Sequence, residues 1–197
     1  MGHRPSIVVI AGPNGAGKTT VAPLLLQGAL GVTEFVNADA IGQGLSAFNA
    51  QSAAVTAGRL MLKRLEQLAD RNVSFAFETT LASRTFAPWL KELTAGGYSL
   101  NIVFLWLPNP EFAVARVADR VALGGHDVPE KVVRRRYARG IRNFFELYRP
   151  LTSMWRMYDT SREPPPRLIA AGRGSSVDQI DDQDAWRRIE REIHGKS

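Results

Sequence analysis

The chain contains no cysteine. Disulfides, thiolate metal sites and cysteine nucleophiles are therefore excluded. The absence of disulfides suits a reducing interior, and a cytoplasmic protein is expected. Histidine is almost as scarce. His3, His126 and His194 are isolated and make no metal-ligand spacing. His126 sits in a glycine turn, where it either touches phosphate or has no role. No apolar run approaches the roughly 20 residues that a membrane helix needs. The N-terminus passes straight into a strand-like segment with no secretory pattern, so no membrane partner is expected. There are no internal repeats.

What remains is an ordinary globular mixture of 197 residues, 45% apolar and 22% charged. That length fits one domain with a substantial core. The net charge is +6, from 25 basic against 19 acidic residues. It is unevenly spread. Lys131, Arg134, Arg135, Arg136, Arg139, Arg142 and Arg149 face a single acid, Glu146, within one short stretch. Such a patch favours polyanions, either a triphosphate or a nucleic acid.

Short β-branched and apolar runs alternate with helical patterns. Ser6–Ala11, Glu34–Ala38, Val73–Phe77 and Tyr98–Leu107 read as strands, with weaker ones at Trp155–Tyr158 and Arg167–Ala171. Helices are expected after Lys18, over Ala53–Ala69, Phe86–Thr94 and Glu111–Leu123, and after Asp127, which serves as an N-cap. The linker Ser161–Pro166 is extended, and Gly172–Gln183 reads as a polar loop before a last helix at Asp184–Ile193. The expected fold is α/β: a P-loop NTPase three-layer fold with a mostly parallel central sheet and a basic helical lid. Residues 1–172 form the kinase-like domain, with the lid at about 124–148. Residues 173–197 add a polar segment and a helix that packs on the same domain.

The pattern G-x-x-x-x-G-K-[ST] is met by Gly12, Gly17, Lys18 and Thr19. It stands between a predicted strand and a predicted helix, the context such a loop needs. Gly12, Pro13, Asn14, Gly15, Ala16, Gly17, Lys18, Thr19 and Thr20 are the expected nucleotide-binding residues. Glycines let backbone N–H groups turn in on phosphate oxygens at a helix N-terminus. Lys18 reaches the β- and γ-phosphates, and the Thr19 hydroxyl ligates Mg²⁺. The competing reading is a glycine-rich turn with a solvated lysine.

Ligands of open α/β sheets sit beyond the carboxyl ends of the strands. Asp39 follows the second strand and Glu78 the third. If these neighbour the first, both face the γ-phosphate. One is a candidate general base, and the other a holder of Mg²⁺ or of the acceptor. Asp39 can also be read as a plain N-cap, and Glu78 as a surface acid. Arg116 and Arg120, spaced i, i+4, share a helix face. They and Arg134, Arg135 and Arg136 are candidates to stabilise transferred phosphoryl charge, with Gly124-Gly125 permitting closure. A solvated basic helix pair is the bland alternative.

Taken together, the blocks GPNGAGKTT (Gly12–Thr20), NAD (Asn37–Asp39), FETTL (Phe77–Leu81), RVADRVALGGHDVPE (Arg116–Glu130), RRRY (Arg134–Tyr137) and YDTS (Tyr158–Ser161) resemble the zeta-toxin family of P-loop kinases, especially its short chromosomal members. The resemblance implies ATP and Mg²⁺ as cofactors and an amino-sugar hydroxyl of UDP-N-acetylglucosamine as acceptor. It implies Lys18 as the P-loop lysine, Thr19 as Mg²⁺ ligand and Asp39 as general base. Glu78 and Thr80 fall in the segment that holds the sugar nucleotide, with Glu78 also a candidate at the metal. Arg116 is a candidate substrate contact, and Arg120 matches the first catalytic lid arginine. The second has no counterpart, since Gly125–Asp127 occupies its place, and Arg135 or Arg136 is the expected substitute. Ala82 stands where the larger toxins are expected to carry a basic sugar contact. An antitoxin protein is a possible partner.

The leading expectation is an ATP-dependent small-molecule kinase. A polynucleotide or nucleoside kinase is the first alternative, although no nucleic-acid-binding motif supports it. An ATP-binding switch or transport ATPase is the second; Gly42–Ser46 reads GQGLS, which is not a transporter signature.

Overall fold

In the computed structural model, residues 4–28, 32, 34–45, 50–125, 127–162 and 165–195 are described. His3 and His126 lie outside them, as do Glu163 and Pro164 of the expected extended linker. Among the described residues, a seven-stranded sheet runs in the order β2-β3-β1-β4-β5-β6-β7. The strands are β1 (Ser6–Ala11), β2 (Glu34–Val36), β3 (Phe75–Thr79), β4 (Ser99–Trp106), β5 (Met154–Asp159), β6 (Arg167–Arg173) and β7 (Ser176–Ile180). The first five in spatial order pair in parallel, while β6 and β7 are antiparallel.

The continuous apolar run of β1 is explained by burial on both faces. Ile7 and Val9 pack into one apolar cluster and Val8 and Ile10 into the other. Helices α3 (Ala50–Asp70), α4 (Phe86–Ala95) and α7 (Gln183–His194) cover the first face. Helices α1 (Lys18–Gly28) and α5 (Pro110–Ala122) cover the second. This is the expected three-layer α/β arrangement. Helix α6 (Glu130–Asn143) contributes to both: Val133 and Tyr137 join one cluster and Ile141 the other. Among the described residues no helix is long and apolar enough to cross a membrane.

Local chemistry sets the element ends. Asn109 caps α5 by accepting from the Phe112 N–H at 2.7 Å, with Pro110 just inside the helix. Asp182 caps α7 by accepting from the Ala185 N–H at 2.9 Å. Trp186 stacks on Trp155 of β5, the ring centroids 6.0 Å apart, which docks α7 on the sheet.

Three expectations need correction. Gly172–Gln183 is not all loop, because it contains β7. Four of that strand's five residues are exposed, so it lacks the apolar alternation that burial imprints. Asp127 does not cap α6. The helix starts behind Pro129, whose carbonyl accepts from Val132 and Val133 at 2.8 and 3.1 Å, leaving Asp127 too far upstream. The second strand stops at Val36, because Asn37 opens helix α2 (Ala38–Leu45) where only a short turn was expected.

Candidate active site

The loop after β1 turns into α1 through Gly15 and Gly17, both at positive φ (79° and 76°). At Gly15 a Cβ would meet the Arg116 Cβ at 2.7 Å and the Ala113 carbonyl oxygen at 2.9 Å. The loop therefore lies directly against α5. At Gly17 a Cβ would have nothing within 4 Å, so the loop's inner side is open there. Ala16 is buried in the cluster beneath it. Lys18 folds inward, and its Nζ donates to the Gly12 and Pro13 carbonyls at 3.0 and 2.9 Å.

Because β3 lies between β1 and β2, Glu78 emerges beside the loop. The Thr19 hydroxyl donates to Glu78 Oε2 at 3.0 Å, and Lys18 Nζ is 3.9 Å from Oε1. Both charged side chains are under a tenth exposed. Burial pushes the Lys18 ammonium below its ordinary pKa, opposed by the charges of Glu78 and Asp39. Burial likewise raises the Glu78 carboxyl, opposed by Lys18 and by the Thr19 hydrogen bond.

Asn37 organises the next strand end. Its Oδ1 accepts from the N–H groups of Asp39 and Ala40 at 2.7 and 3.3 Å, the bonds of an N-cap. Its Nδ2 donates to Glu78 Oε2 at 3.0 Å. The capping role thus belongs to Asn37, and Asp39 is left exposed in the first turn of α2.

Two cavities meet here. One, of about 480 Å³, runs from the P-loop through Thr19 and Thr20 to Arg116, Arg120 and Leu123. The other, of about 180 Å³, is walled by Asn37, Met61, Thr80, Phe86 and Arg136. Asn14, Lys18, Asp39 and Glu78 line both. Asn14 Oδ1 is buried with no hydrogen-bond partner among the described residues. Arg116 donates to the Thr160 and Ser161 carbonyls, each at 3.2 Å, and lies over the Phe112 ring.

The neighbouring arginines of α6 separate by helical phase. Arg136 turns into the smaller cavity, where burial lowers its pKa and the charge of Asp39 opposes that. Arg135 is exposed and lines neither cavity. Arg134 is drawn outward into ion pairs with Glu111 and, at 2.7 Å, with Glu130.

These groups fit a nucleoside triphosphate with a hard cation. The open inner side at Gly17 and the start of α1 suit phosphate oxygens. Thr19 Oγ1 and Glu78 Oε2 are oxygen donors, the type Mg²⁺ prefers. Among the described residues no cluster of three or more His, Asp or Glu side chains makes a metal cage. A cation here would share its shell with phosphate and water, the usual habit of Mg²⁺. Sequence reasoning named Asn37 within a block but gave it no role. The signal was a buried-type strand followed by Asn and then a helix, an N-cap pattern. Met61 and Phe86 carried no signal, since each reads as ordinary helix packing.

A model of the family described as Zeta toxin matches residues 1–149. An uncharacterized protein of Haemophilus influenzae is 25% identical over 130 residues, covering 66% of this chain and 91% of that protein. Among solved structures, a chain of the AvrRxo1-ORF1:-ORF2 complex with ATP is similar over 95% of this chain, with TM-score 0.70 and 17% identity. The present chain spans 64% of that one. A structure from the PezAT chromosomal toxin–antitoxin system of Streptococcus pneumoniae gives TM-score 0.61 at 14% identity, covering 98% of this chain and 88% of the other. A gluconokinase from Sinorhizobium meliloti 1021 gives 0.52 at 16%, covering 98% and 95%. At such identities the structural likeness speaks for the fold, a P-loop kinase fold. The family match covers 149 of the 197 residues, and the chain belongs to the zeta toxin family.

Proposed function

We propose that this chain is an ATP- and Mg²⁺-dependent phosphotransferase that moves the γ-phosphoryl group to a hydroxyl of a small molecule, with a sugar nucleotide such as UDP-N-acetylglucosamine as acceptor. The observation that carries the reading is the sharing of Asn14, Lys18, Asp39 and Glu78 by two cavities of different character. A triphosphate on the P-loop would fill the larger. The acceptor would fill the smaller, so the hydroxyl meets the γ-phosphorus at the shared residues.

In this scheme Lys18 and Arg120 neutralise phosphate charge on the nucleotide side, with Arg116 beside them. Arg136 does so from the acceptor side. Asp39 accepts the proton of the acceptor hydroxyl as its oxygen bonds to the γ-phosphorus. The bond to the β–γ bridging oxygen breaks, and ADP leaves. Thr19 and Glu78 would hold Mg²⁺, which when bound offsets charge building on the β- and γ-phosphate oxygens. Thr80 and Glu78 orient the acceptor. The family membership and the likeness to the PezAT system support an antitoxin protein as partner.

The test is transfer from γ-labelled ATP to a panel of sugar nucleotides, nucleosides and oligonucleotides, with mass analysis of the products. A labelled sugar nucleotide supports the reading. Labelled oligonucleotides with steep salt dependence would replace it with a polynucleotide kinase. Tight ATP binding with no labelled acceptor would replace it with a nucleotide switch.

A further inference from the structure

We infer that Asn143 is a positioning residue for the acceptor side of the cleft, acting by clamping the loop after β3 to a fixed α6. The inference rests on the kinase reading for its functional consequence and on contacts within the fold for the clamp itself.

Helix α6 is anchored on both faces of the sheet. Val133 and Tyr137 are buried with α1 and α5, and the Tyr137 hydroxyl donates to the Leu107 carbonyl at 2.8 Å. Ile141 and the following Phe144 and Tyr148 are buried with α3, α4 and α7. The helix is thereby rooted in two separate cores.

Between those anchors, Arg136, Gly140 and Asn143 recur at i, i+4 and i+7, which places them on one face. That face meets the loop following Thr79, the last residue of β3. A Cβ at Gly140 would overlap the Thr80 carbonyl oxygen, so only glycine allows this approach. Asn143 Nδ2 donates to the Leu81 carbonyl at 2.8 Å, in a buried setting. Beyond Asn143 the helix widens into a π turn, Phe144–Tyr148. In an α-helix, residues five apart point about 140° away from each other. The i→i+5 closure of a π turn brings them back toward one side. Tyr148 therefore follows Asn143 onto the loop, and its hydroxyl donates to the Ser83 carbonyl at 2.5 Å.

The loop needs holding. Leu81 is fully buried at φ +53°, a left-handed conformation that bulky residues avoid unless their surroundings impose it. Thr80 and Glu78, just before it, and Arg136, on the clamping helix, wall the same cavity. Asn143 thus sets the spacing between the acceptor loop and the arginine that faces it, without touching either ligand.

The test compares Asn143→Ala and Tyr148→Phe with the wild type, each in the full chain. Tyr148→Phe removes only a hydroxyl and carries the test if Asn143→Ala does not fold. Three quantities are read: ATP affinity, hydrogen exchange of residues 79–85, and acceptor KM and kcat. ATP affinity should stay within about twofold. Exchange should rise in 79–85 while the P-loop and β1 keep their protection. Acceptor KM should rise about tenfold or more for Asn143→Ala, and less for Tyr148→Phe, with the ATP KM unmoved. Unchanged exchange at 79–85, or acceptor and ATP KM rising together, would overturn the inference. If exchange rises as expected but no acceptor is phosphorylated by the wild type, the clamp stands and the kinase reading fails.

Discussion

Thr19 and Glu78 are 59 residues apart in the chain, yet the Thr19 hydroxyl donates to Glu78 Oε2 at 3.0 Å. The same carboxylate oxygen accepts from Asn37 Nδ2 at 3.0 Å. One acid thereby ties the P-loop to the start of α2, and so to Asp39. The cost is a buried carboxyl whose desolvation outweighs the attraction of Lys18. Lys18, its nearest cation, sits at 3.9 Å and is engaged by loop carbonyls. Shifted pKa values of this kind are frequent at functional sites.

Asp39 is exposed, and among the described residues its side chain makes no cap bond, the capping oxygen being that of Asn37. Asp39→Asn should therefore leave the fold and ATP binding nearly intact while lowering phosphoryl transfer by about 10²–10⁴-fold. Labelled-ATP transfer against ATP titration separates the two effects. A variant that keeps full transfer rules Asp39 out as the base.

Arg136 and Arg135 are chain neighbours with opposite surroundings. Arg136→Ala should lower kcat by about 10²-fold or more, and far more than Arg135→Ala does. Arg136→Lys should recover part of the loss, because charge returns without the planar fork. Steady-state kinetics of the three variants decides; equal effects at 135 and 136 would contradict the assignment.

The pH dependence follows from Glu78. Its raised pKa means that the native state binds this proton more tightly than the unfolded chain does. Its contribution to stability is present below the ordinary value of 4.5 and is lost as pH rises through the higher native one. On the proposed role of Glu78 at Mg²⁺, metal-assisted binding needs the ionised form. Mg²⁺-dependent enhancement of ATP affinity should therefore fade on acidification before the ordinary carboxylate range is reached. Calorimetric titrations between about pH 5 and pH 8 measure this. Glu78→Gln should lack the enhancement throughout, and an enhancement that persists there moves the cation elsewhere.

Gly15 packs its Cα against α5. Gly15→Ala would press on the Arg116 Cβ and the Ala113 carbonyl and would hold alanine at φ 79°. ATP affinity should fall by about five- to 140-fold, for a cost of roughly 1–3 kcal/mol in the strained loop. ATP titration of the variant checks it.

The C-terminal helix belongs to the same cooperative unit if the Trp186–Trp155 stack holds it down. Trp186 is 5% exposed. Trp186→Ala should destabilise the whole protein by about 3–5 kcal/mol in a single transition. Calorimetry showing a separate low-temperature event would instead make residues 183–194 an independent unit.

Legibility followed burial. β1, β3 and β4 carry runs buried on both faces, so their apolar patterns stood out, whereas β2 is a short edge strand with Phe35 exposed. β7 is exposed and held by backbone ladder bonds, which no side-chain pattern records. The P-loop was legible because its spacing is local. Asp39 and Glu78 were legible only as strand-end acids, because their meeting depends on β3 lying between β1 and β2. Asn143 was silent, since a lone asparagine near a helix end has many readings.

The sequence alone determined what acts over short range: the phosphate loop, the alternation of strands and helices, and the family blocks. These depend on backbone conformation and on the periods of helix and strand, both set within a few residues. Only the tertiary structure decided which arginine turns inward. It also decided that α6 is rooted in two cores. Those outcomes depend on strand order and helical phase across segments far apart in the chain, where packing rather than local preference selects the partner.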